Sequence, residues 1–139
     1  MKFQDRQPNA DGDWGMLRTS EMILVEAEAM ARQSGKEGLA LDLLYTLQKQ
    51  RDPNAVKSGN TGAALLDEIL IERRKELYGE IGTEFFDAKR YNRSIKRIGN
   101  HSPNYMFEKK PDMTTWGWIL PIPQNELDRN PNIKQTVLK

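Results

Sequence analysis

Residues 67–90 read DEILIERRKELYGEIGTEFFDAKR, and the rest of the chain is organised around this stretch. Its apolar residues recur at Leu66, Ile69, Leu70, Leu77 and Ile81, the i, i+3, i+4 spacing of one helix face. Arg73 lies in the same stripe, three residues after Leu70 and four before Leu77. A helix that packs on this stripe takes a guanidinium into its interface. An unpaired buried charge is very costly, so carboxylates must meet it there. Arginine suits the task, because its planar fork binds a carboxylate through two hydrogen bonds. Glu76 and Glu80 are reachable along the helix, and Asp87 can reach back from the next one. The expectation is two helices locked by a buried ionic network of Arg73, Glu76, Glu80 and Asp87. Arg73→Met is then expected to leave Glu76 or Glu80 unpaired, at a cost on the order of 3 kcal/mol. The alternative is a solvated face with Arg73 reaching outward along its aliphatic stem.

Upstream, Thr19 or Ser20 is a candidate N-cap for a helix that runs to about Ser34 and stops at Gly35. Ile23, Leu24, Ala27, Met30 and Ala31 form one face. Met22, Val25 and Ala29 make the opposite side apolar too, which predicts a helix sandwiched between others. A second helix is expected over 36–51, with Leu39, Ala40, Leu43, Leu44 and Leu47 as its buried stripe. A tight turn joins the two into a helical hairpin, of about the size of a tetratricopeptide unit. Asp52-Pro53-Asn54 ends the second helix, and 57–62 (KSGNTG) reads as a flexible loop. Thr61 is placed to cap a third helix over 62–81. Gly82 breaks it, and Thr83 caps a short fourth helix in which Phe85 and Phe86 are apolar anchors.

The flanks are less regular. Residues 1–15 hold Asn9, Asp11, Gly12, Asp13 and Gly15, all turn formers, and read as an irregular leading segment. From Asn92 to Trp118 the helical pattern disappears into a long loop. Pro121 and Pro123 then favour extended chain, and Gln124 or Asn125 starts one helical turn that stops before Pro131. The last few residues are expected to fray. The expected fold class is all-α. A single domain, 1–139, comprises the leading segment (1–15), a helical core (16–91) and a loop-rich aromatic segment (92–139).

Composition narrows the function. The 139 residues are 37% hydrophobic and 29% charged, with 21 basic and 20 acidic side chains and a formal net charge of +1. That balance gives no reason to expect a nucleic-acid partner. No segment approaches the ~18 continuous apolar residues of a membrane span. The absence of cysteine removes disulfides, thiolate nucleophiles and cysteine metal sites. His101 is the only histidine and lies in a Gly/Asn/Ser/Pro loop, so neither a Ser–His–acid arrangement nor a metal centre is supported. The best catalytic case is a carboxylate pair, Glu80 with Asp87 or Glu84. It lies amid Arg73, Arg74, Lys89 and Arg90, and such cations suit structure better than a general acid. No enzyme activity, cofactor or metal is expected.

Binding is better supported. Tyr105, Trp116 and Trp118, with Asn104, are the residues that would stack on sugar rings and bond their hydroxyls. Trp116 and Trp118 alternate across Gly117, so in extended chain both bury together or face out together. Burial beside Ile119 and Leu120 is the favoured alternative.

IERRKELYGE followed by FFDAKR resembles the ERR-x-EL-x-GE and F/W-D-x-K-R signature of the SusD/RagB family. The likeness continues in LRTSEMILVEAEAMARQSG upstream and LPIPQNELDRNPNIKQ downstream, three blocks in the family's order from about Met16 to Gln135. The resemblance implies an outer-membrane lipoprotein, exposed on the cell surface, that captures glycans or peptides for a TonB-dependent porin. It implies helices of tetratricopeptide type and a terminal segment that packs back on them. Family members are several times longer and anchored through a lipidated cysteine. This sequence has neither that cysteine nor a signal peptide, so it is expected to correspond to the C-terminal part, mainly a helical scaffold. Any membrane attachment would then lie outside it. The alternative function is a helical-hairpin module that binds a protein partner without a nutrient role.

Overall fold

The computed structural model describes residues 17–80, 83–100, 102–110, 112 and 117–135. The expectations for the leading segment, Ile81, Gly82, His101, Trp116 and the final residues therefore lie outside the described residues. The chain forms two compact units that meet in sequence between Gly79 and Glu80.

In the first unit, α1 (Thr19–Ala31), α2 (Glu37–Arg51) and α3 (Gly62–Glu76) pack pairwise around one core. Leu24, Ala27 and Ala31 of α1 meet Ala40, Leu44 and Leu47 of α2 and Leu65 and Ile69 of α3. The alanines allow the axes close approach, and leucines fill the remaining space. Gly35 turns the chain between α1 and α2 at φ +78°, a conformation glycine adopts without a Cβ penalty.

Several expectations need correction here. α1 starts after Arg18, with no side-chain cap. Ser20 is buried instead of capping. Only one face of α1 is covered: Met22 and Val25 are about half exposed, at 49% and 48%. Leu39 of α2 is likewise exposed, because Ala40, Leu44 and Leu47 already define the buried line. α3 ends at Glu76, and Leu77 closes it by donating its backbone N–H to Arg73 O at 2.9 Å. The chain then turns through Gly79 at φ +76°. The buried line of α3 is Leu65, Ile69, Glu72 and Glu76. This line keeps Ile69 of the expected stripe, with Leu77 buried just beyond the helix, but it also takes in Leu65 and two carboxylates.

The loop over 57–62 is tethered along its length. Lys57 Nζ donates to Asp42 Oδ1 at 2.5 Å, and Ser58 Oγ to Glu68 Oε2 at 2.5 Å. Asn60 Nδ2 donates to the same Glu68 oxygen at 2.8 Å, and Gln48 Nε2 to Glu68 Oε1 at 3.2 Å. At the start of α3, Thr61 offers no side-chain cap. Glu37 of α2 accepts from the Gly62 N–H at 2.9 Å and serves one of the free donors of the helix end.

The second unit holds α4 (Thr83–Arg90), β1 (Ile95–Arg97), a 3₁₀ turn (Pro103–Tyr105), β2 (Phe107–Lys109) and α5 (Gln124–Arg129). The single turn expected after Pro123 is α5. The loop expected over 92–118 contains a small antiparallel ribbon that periodicity does not reveal. In it Ile95 faces Lys109, Lys96 faces Glu108 and Arg97 faces Phe107. Three residues per strand are too few to display alternation. Among the described residues the architecture is mostly α-helical with this one two-stranded sheet. Near the C-terminus the Gln135 amide bridges Ile122 like a ladder rung, accepting from its N–H and donating to its carbonyl, both at 3.0 Å.

Candidate functional site

Two side-chain clusters, one in each unit, take in some of the residues singled out in the sequence: Arg73 and Glu76 in the first and Trp118 in the second.

In the first unit, Glu76 ends the buried line of α3 with its side chain 6% exposed. Arg51, in the last turn of α2, grips it with a two-pronged fork: Nε donates to Oε2 at 2.9 Å and Nη2 to Oε1 at 2.8 Å. Arg18, just before α1, donates its Nη2 to Glu76 Oε1 at 3.0 Å and to the Glu76 carbonyl at 2.6 Å. The Arg51 hydrogen bonds are the main reason that the Glu76 carboxyl is held down to about 2. Burial opposes the shift, and Ser20 and the charge of Arg18 add to it. One carboxylate thus joins the end of α3 to the end of α2 and the start of α1. A group kept ionised this firmly is an acceptor at neutral pH, the opposite of what a general acid requires.

Arg73 lies beside this cluster with its side chain 11% exposed, and its Nη2 donates to Glu21 Oε1 of α1 at 2.9 Å. The guanidinium is therefore within the seam and reaches an acid 52 residues earlier in the chain. This corrects the Glu76 half of the expected effect of Arg73→Met: Glu76 keeps Arg51 and Arg18 in that variant, and Glu21 is one acid that loses a cation. Asp87, in the second unit, accepts from Arg90 Nη2 at 3.0 Å along its own helix. Glu80 opens that unit and is partly buried.

In the second unit, Trp118 is 1% exposed. Its ring stacks on Phe85 of α4 with centroids 5.4 Å apart and planes 18° apart. Its indole N–H donates to Lys110 O at 2.7 Å, and its own carbonyl accepts from Lys89 Nζ at 2.7 Å. The polar edge of the indole is thereby satisfied, as a buried tryptophan requires. The sugar-stacking role expected of Trp118 is corrected by this placement, because both ring faces are buried. The alternation argument fails at Gly117, whose φ of +88° is left-handed and not extended. A Cβ there would also sit 2.8 Å from Lys109 Nζ. Phe85 does serve the core, but Phe86 is 60% exposed, contrary to expectation. Asn104 is exposed in the 3₁₀ turn. The Tyr105 side chain and Trp116 lie outside the described residues.

Arg18 and Arg51 escaped the sequence reading, and Ser20 and Glu21 were read as parts of a helix start rather than as partners of Glu76 and Arg73. Arg51 carried a faint signal, as a cation in the last turn of a helix. Arg18 and Glu21 carried none, since their partners lie 58 and 52 residues away. Among the described residues no group of three metal-ligating side chains is placed to hold a metal ion. No helix among them is long and apolar enough to cross a membrane.

Comparison with known proteins adds the lineage. The SusD family profile matches residues 4–138. A crystal structure of a SusD superfamily protein from Bacteroides vulgatus ATCC 8482 is similar at 34% sequence identity with a TM-score of 0.70, over 86% of this chain. This chain spans 26% of the length of that relative. No curated protein matches. With the profile covering nearly all of its length, the chain belongs to the SusD family.

Proposed function

We propose that this chain is part of a non-catalytic nutrient-binding protein of the bacterial outer membrane, displayed at the cell surface, and that it supplies mainly helical scaffold. Family membership carries this reading. The ligand is a glycan or peptide, and the working partner is a TonB-dependent porin that takes up what the binding protein captures. The build of the first unit agrees with a scaffold. Two of its carboxylates hold elements together: Glu76 ties three helices and Glu68 pins a loop. Asn104 and Tyr105 of the turn, and Trp116, remain candidate ligand contacts.

The test is a glycan-array and peptide screen with the longest form of the protein, alongside co-purification with the porin. Saccharide or peptide binding and a co-purifying porin are expected. Failure of both ligand classes to bind would overturn the reading. A second reading, a hairpin module that docks a protein partner, is favoured by the exposure of Met22 and Val25 on one face of α1. A TonB-dependent porin gene immediately upstream argues for the first reading, and its absence for the second.

A further inference from the structure

The near-neutral charge of the whole chain hides a local excess. Residues 89–110 contain seven of the 21 basic side chains and one of the 20 acidic ones. These 22 residues carry +6 and the remainder carries −5. They form the last two residues of α4, the ribbon β1–β2 and its connection, and Arg90 is paired with Asp87 just before the stretch at 3.0 Å. Arg90, Arg93, Lys96, Arg97 and Lys110 are exposed.

The cations are also held in place. Arg90 and Arg93 flank the Tyr91 ring, with their guanidinium carbons 4.4 Å and 5.6 Å from its centroid. Arg97 lies 5.2 Å over Phe107, its cross-strand neighbour. On the opposite face of the ribbon, Lys96 Nζ meets Glu108 Oε1 at 3.2 Å. Lys96 and Ser94 together hold the Glu108 carboxyl below its usual range. Guanidinium groups ordered on aromatic rings have lost part of the freedom that ligand binding would otherwise remove, so they are prepared for planar anions.

We propose that this ribbon and the end of α4 form a binding surface for an acidic polysaccharide, one bearing carboxylates or sulfates along its length. Charge complementarity selects a polyanion. The arginines against the Tyr91 ring and over Phe107 compete with base stacking there, which selects against single-stranded nucleic acid. Choosing a polysaccharide among polyanions rests on the nutrient-binding reading above. The cationic surface itself does not.

The experiment is affinity electrophoresis of the full 139-residue chain in gels containing polygalacturonate, dextran or single-stranded DNA, at low and high salt. Retardation by polygalacturonate alone, lost as salt rises, is expected. Charge reversal in R93E/R97E should weaken it about tenfold or more. E108Q removes the stretch's one acid and should strengthen retardation, a gain that misfolding would not produce. Circular dichroism checks that both variants keep their helices. Equal retardation by dextran, stronger retardation by DNA, or indifference to both substitutions would overturn the proposal. Binding of neutral glycans without polygalacturonate would overturn it too, while leaving the nutrient-binding reading intact.

Discussion

At neutral pH Glu76 is an ionised carboxylate between two guanidinium groups, and the stability of the first unit should follow its titration. Its folded pKa is lowered from 4.5 to about 2. The stabilisation is therefore complete above the unfolded value, falls away as pH drops from about 5 toward 2, and is flat between 5 and 7. The shift corresponds to on the order of 3 kcal/mol, and solvent around half-exposed Arg51 reduces this to about 2 kcal/mol. Urea unfolding at stepped pH should show that loss, and E76Q should flatten the acid limb while lowering stability at pH 7. The neighbouring pair behaves differently. Arg73→Met leaves Glu21, which is 22% exposed and can recover water. A loss of about 1 kcal/mol from this pair is expected in thermal melts.

At the scale of elements, Glu68 is a clamp on a loop. Burial alone would push its carboxyl up. Hydrogen bonds from Ser58, Asn60 and Gln48, with the charge of Lys75, outweigh that and hold it below the usual range. Glu68→Ala should release 58–60 with little effect on the core, seen as faster amide exchange there and an almost unchanged melting temperature. Gly117 is the corresponding point of the second unit. Its left-handed φ strains any residue with a Cβ, and a Cβ there would also displace the flexible end of Lys109. Gly117→Ala should destabilise that unit by about 1–2 kcal/mol, and unfolding followed through the fluorescence of Trp118 should register it. In the core, Leu44→Ala should cost roughly 2–5 kcal/mol, since Leu44 is fully buried among the three helices.

At the scale of the molecule, charge is uneven rather than absent. With +6 confined to 89–110 and −5 elsewhere, the chain should bind a cation exchanger at low salt even near its isoelectric point. The R93E/R97E variant should elute earlier, and an unchanged elution position would show that the excess is not presented as one surface.

The helices α1 to α4 and the short α5 were legible because each carries its own instructions within a few residues. Leu24, Ala27 and Ala31 repeat at helical spacing, Gly35 ends a turn, and Pro123 precedes one more. The three motif blocks likewise identified the family from local sequence. That Arg73 enters the seam followed from its place among apolar neighbours. That Glu21 meets it there did not, because Glu21 and Arg18 lie more than fifty residues from their partners in the chain. The ribbon, the stacking of Trp118 on Phe85 and the tethering of 57–62 were also settled only by the folded chain. Local spacing specifies which way a helix turns its side chains. Pairing between distant side chains depends on how the elements are laid together, and one sequence does not write that down.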